Sequence, residues 1–156
     1  MTRLFLDTNI VVDLLEGREP FCYDAAQLFT MAHDKRVELL VSPMTFSTAS
    51  FLLRKHGSEG VRNLLSNLRQ LVSVTISDER TVDDSIASQF KDFEDAMQYY
   101  SALNANAEII IHSQREGLYS LESSRHDCHR IYSKQNNNNK MNKNSVFRNQ
   151  CINKMT

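Results

Sequence analysis

Three consecutive apolar residues, Leu4-Phe5-Leu6, run straight into Asp7-Thr8-Asn9 and then into Ile10, Val11, Leu14 and Leu15 at helical spacing. An apolar run this short, followed at once by an amphipathic helix, reads as a strand buried on both faces, which calls for helices on either side of a sheet. Asp7 then falls where a buried strand ends. Open α/β sheets keep their chemistry at such strand ends.

The rest of the chain repeats that alternation. Asp24 to His33 carries an amphipathic helical pattern, Glu38 to Ser42 reads as a second strand, and Pro43 suits a first helical turn. Residues 45–55 and 60–71 read as helices, 71–76 as a third strand, and 78–88 as a helix with Asp78 as its N-cap. A helix over 92–104 and a strand over 108–111 follow. Strands separated by helices require right-handed crossovers, so the expected class is α/β with a central, mainly parallel sheet in three α/β/α layers.

A second acidic cluster, Asp92-Phe93-Glu94-Asp95, precedes the apolar run Ile109-Ile110-Ile111. Two acidic sites converging at one sheet edge suit a divalent cation, because Mg²⁺ is held by one or two carboxylates, with waters and substrate phosphates completing its shell. Asp7 and Asp95 are the expected ligands, catalytic through a Mg²⁺ or Mn²⁺ that positions water against a phosphodiester. Thr8 and Asn9 are expected to support Asp7 by hydrogen bonding. The competing reading makes Asp7 and Asn9 helix caps, and for Asp92 the cap is favoured. Asp13, one turn beyond Asn9, faces either the same cleft or solvent.

Charge is divided unevenly. Up to Asp127 the chain has 12 basic and 19 acidic residues, a net charge of -7, and six basic residues follow. An acidic body binds phosphate backbones poorly unless a local basic strip or bridging cations intervene. Arg54, Lys55, Arg62 and Arg69 offer either such a strip or ordinary solvated helix faces. Cys22, Cys128 and Cys151 form an odd set without framework spacing, which suits a reducing compartment. The start runs directly into a strand, and no apolar stretch approaches the roughly 20 residues that span a bilayer. The expectation is a cytoplasmic protein with no membrane partner.

Leu6-Asp7-Thr8-Asn9-Ile10 with Asp13-Leu14-Leu15, and Phe93-Glu94-Asp95-Ala96 before a helix and an Ile-rich strand, together resemble the PIN domain family over about residues 3–111. That resemblance implies a Mg²⁺- or Mn²⁺-dependent ribonuclease, in many small bacterial cases a VapC-type toxin paired with an antitoxin and able to form a homodimer. It makes Asp7 the first metal-binding acid and Asp95 the third. It also divides the chain into a PIN-like domain over 1–118 and an irregular, Asn- and Lys-rich tail over 119–156.

Two departures bear on activity. The helix after the second strand lacks the family's Glu; Thr48 or Ser50 is left to hydrogen-bond a metal-bound water there. The family's Thr-Arg-Asn ending, followed by Asp-Phe, is also absent after Ile111, where the chain reads His112-Ser113-Gln114-Arg115. Codon degeneracy permits the missing stretch: read from the second base of codon 112, residues 112–119 allow Thr-Arg-Asn-Glu-Lys-Asp-Phe. A one-nucleotide frameshift near that codon accounts for both the lost acid and the abrupt change into the polar run 135–144. His126, Cys128 and His129 are metal-ligand types, but lack the second ligand pair usual for zinc.

Three functions compete at this level. The first is a metal-dependent endoribonuclease of the PIN type, impaired by loss of its C-terminal acid. The second is a catalytically degenerate PIN module that binds an antitoxin or RNA. A phosphotransferase of the haloacid-dehalogenase type ranks last, because that family expects an Asp where this chain has Asn9.

Overall fold

Leu4 and Leu6 pack into one buried cluster while Phe5 packs into another, so the first strand is apolar on both faces, as its composition requires. The structure, a computed structural model, describes residues 1–114 and 117–122. Its elements run β1 (Thr2–Leu6), α1 (Thr8–Glu16), α2 (Phe21–His33), β2 (Val37–Val41), α3 (Pro43–Leu52), a 3-10 turn (Arg54–His56) and α4 (Gly57–Leu71). Then follow β3 (Ser73–Val74), α5 (Glu79–Ala87), α6 (Phe93–Asn104), β4 (Ile109–Gln114) and β5 (Gly117–Glu122).

The sheet order is β3-β2-β1-β4-β5. The first four strands are parallel, with Leu4 opposite Leu39 on one side and Ile109 on the other, and β5 runs antiparallel to β4 at the edge. Alternation continues across the sheet: Leu39, Val41, Ile109 and Ile111 join Leu4 and Leu6, whereas Leu40 and Ile110 join Phe5. Leu28 and Phe29 of α2, Ile10 and Val11 of α1 and Leu68 of α4 cover the first face. Ala102 of α6, with Tyr99 beside it, covers the second. This is the expected α/β/α layering.

Local chemistry fixes the element ends. Gly17 closes α1 in the left-handed conformation at φ 62°, with its N–H on the carbonyls of Asp13 and Leu14. Ser42 and Pro43 start α3, the Ser42 Oγ accepting from the Thr45 amide, and Asp78 caps α5 by accepting from the Thr81 amide. The expected strand over 71–76 is only two residues long, because α4 continues to Leu71 and Arg69 donates to the Val72 carbonyl over 2.9 Å to close it. No strand was expected after Ile111, where the apolar alternation fades; β4 nevertheless extends to Gln114 and β5 pairs with it. The tail and its His126-Cys128-His129 group lie, from residue 123 onward, outside the described residues.

The strand order creates a reversal. From β1 the chain moves to β2 and β3 on one side, then crosses back to place β4 on the other. Between β1 and β4 the crossovers diverge, which opens a crevice at the carboxyl ends of these two strands. Asp7 ends β1 and His112 lies within β4 just beyond Ile111, so both stand at that crevice.

Candidate metal centre at the carboxyl ends of the strands

Asp7 occupies the N-cap position of α1 with extended backbone angles, yet its side chain makes no capping bond. Its amide donates to the Ile111 carbonyl over 3.0 Å, which ties the turn to β4. The carboxylate is turned into the crevice instead. Oδ1 accepts from Gln98 Nε2 at 3.3 Å and Oδ2 from Asn9 Nδ2 at 3.4 Å, while His112 Nδ1 lies 3.6 Å from Oδ2. The side chain remains 14% exposed, enough to meet a ligand from solvent.

Behind Asp7 runs a buried chain of polar side chains. Gln98 Nε2 donates to Thr8 Oγ1 over 2.9 Å, and Thr8 Oγ1 donates to Thr45 Oγ1 over 3.3 Å. Thr45 Oγ1 is in turn 3.3 Å from Ser42 Oγ. These residues are all buried, so α1, α3 and α6 meet through paired polar groups, as a dry interior demands. Thr8 thus braces the floor of the site, and Asn9, which is exposed, touches Asp7 itself.

The second acid enters from α6. Asp92 Oδ1 accepts from the Glu94 amide at 2.8 Å and the Asp95 amide at 3.3 Å, the cap that its position suggested. Asp95, one residue into the next part of that turn, is half-buried. Burial pushes its carboxyl above the ordinary Asp range, and the negative charges of Asp92, Asp7 and Glu94 push it further, with His112 opposing. Asp95 and Asp7 therefore share one electrostatic field. Glu94 is turned toward α3, where Thr48 Oγ1 donates to its Oε1 over 3.3 Å.

This donor set suits a hard divalent cation held by few protein ligands. The Asp7 charge adds to burial and Asp92 in raising the Asp95 carboxyl, an effect that a cation at the site would offset. Among the described residues no group of three or more His, Cys, Asp or Glu is arranged to hold an ion, so a closed cage of protein ligands is absent from this part. Two carboxylates nevertheless match the way Mg²⁺ is usually bound, with water and phosphate in the remaining positions.

Of the expected site residues, Asn9 touches Asp7, Asp92 caps the turn that carries Asp95, and Thr48 of α3 bonds Glu94 in that same turn, while Thr8 joins Asp7 through Gln98. Asp13 lies apart from them: it is buried one turn on, 3.6 Å from the Arg18 guanidinium. The basic candidates separate as well, since Lys55 pairs with Glu16 at 3.2 Å and Arg54 lies 4.3 Å over the Phe51 ring. Phe93, the first residue of α6, is exposed. Gln98, His112 and Thr45 went unrecognised in the sequence. The first had one available signal, its position three residues after Asp95 on the same helical face.

A family model described as PIN domain matches residues 3–114. Among solved structures the chain is similar to VapBC2 from Rickettsia felis bound to a DNA fragment from their promoter. The two are 15% identical with a TM-score of 0.53, the match covering 68% of this chain and 84% of that one, a likeness of fold. Comparison with curated proteins gives no match. No helix among the described residues is long and apolar enough to cross a membrane.

Proposed function

The chain belongs to the PIN domain family, whose members are generally metal-using nucleases, and from that premise we propose that it is a VapC-type endoribonuclease. Asp7 and Asp95 hold Mg²⁺ or Mn²⁺. The observation that supports this reading is the placement of Asp7, whose carboxylate makes no helix-capping bond and is held at the β1–β4 crevice by Gln98 and Asn9, with Asp95 within reach of its charge. A cation held there would supply Lewis-acid polarisation of the scissile phosphate and a bound water of lowered pKa.

The protein's own groups divide the remaining work. Asn9 and Gln98 fix the two oxygens of Asp7, and Asp92 holds the first turn of α6 so that Asp95 faces the crevice. Thr48 supports Glu94 beside them. RNA approaches an acidic body, so the cation also offsets the repulsion between this site and a phosphate backbone. A cognate antitoxin and a second copy of the chain are the proposed protein partners, on the analogy of the VapBC2 assembly, and the proposed setting is the cytoplasm.

A second reading, a PIN module that binds antitoxin or RNA without cutting, is favoured by one observation. α3 carries no acid of the kind expected of the family, and its Thr48 hydroxyl bonds Glu94 without adding charge to the site. The two readings part in one assay: cleavage of a labelled structured RNA with Mg²⁺ or Mn²⁺ by this chain, by the version with the reading frame restored near codon 112, and by Asp7→Asn. The nuclease reading expects cutting by the restored chain, weaker cutting by this one, and none after Asp7→Asn. Absence of cutting by both chains, when both are folded and bind metal, gives the binding module.

A further inference from the structure

Gln98 is 4% exposed and spends both amide hydrogens on the site, one on Asp7 Oδ1 at 3.3 Å and one on Thr8 Oγ1 at 2.9 Å. Its own Oε1 is buried and has no hydrogen-bond partner among the described residues. Leaving a buried carbonyl unpaired is costly, and a side chain present only for packing would be apolar. Rotating the amide would exchange the unpaired oxygen for one pressed against a carboxylate, so the orientation is forced by Asp7. The arrangement sacrifices one end of the side chain in order to fix the other.

We propose that Gln98 is the positioning residue of the metal centre: its amide nitrogen locks the Asp7 carboxylate in the orientation that meets the cation. The inference rests on the proposal that Asp7 is a ligand, and it adds to it the group that sets the ligand's direction. Gln98 and Asp95 lie three positions apart on α6, so one helix both supplies the second carboxylate and orients the first. The Thr8 contact completes the lock. With one amide hydrogen on Thr8 and the Thr8 hydroxyl donated to Thr45, the Gln98 side chain has a single direction in which both bonds are made. Partners of this kind, one step behind a ligand, typically hold ten- to hundred-fold of metal affinity.

The test is Mn²⁺ affinity of the folded chain, read by electron paramagnetic resonance, for the wild type, Gln98→Met, Gln98→Asn, Asp7→Asn and the Asp7→Asn/Gln98→Met pair. Gln98→Met keeps the volume and removes the donor; Gln98→Asn keeps an amide that is one methylene too short, and serves if the Met variant does not fold. Either is expected to weaken Mn²⁺ binding about ten-fold or more, with far-UV circular dichroism unchanged. On the Asp7→Asn background the Met substitution is expected to add nothing further. Unchanged affinity in a folded Gln98 variant overturns the proposal, as does an equal loss on the Asp7→Asn background. A wild type that binds Mn²⁺ without need of Asp7, or binds none, overturns it too, whether or not RNA is cut. A wild type that binds through Asp7 but cuts no RNA removes the nuclease reading and leaves this inference to be decided by the affinities alone.

Discussion

Thr48 Oγ1 donates to Glu94 Oε1 over 3.3 Å, joining α3 to the first turn of α6 across 46 positions of sequence. Thr48→Val removes this partly buried bond and is expected to cost about 0.5–1.5 kcal/mol. Thr48→Glu sets a carboxylate against Glu94. That variant is expected to melt lower than the wild type in EDTA and to gain more from added Mn²⁺, a reversal of order that thermal shifts with and without the ion will show.

Asp95 is strained by burial first and by Asp92 and Asp7 next. Without a cation its charge opposes folding, so Asp95→Asn is expected to stabilise the metal-free chain at neutral pH, by up to about 1 kcal/mol once solvent screening is allowed for. The same substitution abolishes stabilisation by Mn²⁺. Urea unfolding in EDTA and in Mn²⁺ checks both halves.

Asp92 caps α6 through the Glu94 and Asp95 amides. Asp92→Ala strips the cap from α6, at a cost of about 1 kcal/mol in stability, and is expected to weaken Mn²⁺ binding far less than Asp95→Asn does. Calorimetry of the two variants side by side distinguishes a cap from a ligand.

Asp78 contributes to the acid dependence. Hydrogen bonds from the Thr81 amide and hydroxyl hold its carboxyl below the usual range. A depressed acid stabilises the fold above its unfolded pKa, and that contribution fades as pH falls through the folded value. Asp78→Asn is therefore expected to lower stability at neutral pH and to converge with the wild type at the acid end, which flattens the acid limb of a stability curve recorded downward from pH 7.

Much of this architecture was legible because each element carries a local signature. Leu4-Phe5-Leu6 is too short and too apolar to be anything but a buried strand, and Asp78 and Asp92 sit one residue before helices that they cap. Asp7 was legible for the same reason, standing at the end of such a strand. Gln98 was not, because a glutamine inside a helix has the same sequence appearance whether it meets water or a carboxylate; only the packing of α6 on β1 distinguishes the two. His112 was hidden differently. It follows the Ile109-Ile110-Ile111 run as Asp7 follows Leu6, but β4 continues past it into a hairpin whose second strand has no apolar alternation to announce it.

The bond from the Asp7 amide to the Ile111 carbonyl gives the two carboxylates supports of unequal firmness. Asp7 hangs from the centre of the sheet, where exchange with solvent requires the strands themselves to part. Asp95 rides on the opening turn of a helix whose cap, Asp92, is exposed to water, and helix ends are where fraying begins. At the proposed metal site, capture of an ion between them would tie the looser support to the firmer, so the ordering entropy of that turn would fall on the binding step and affinity would report how well α6 is wound.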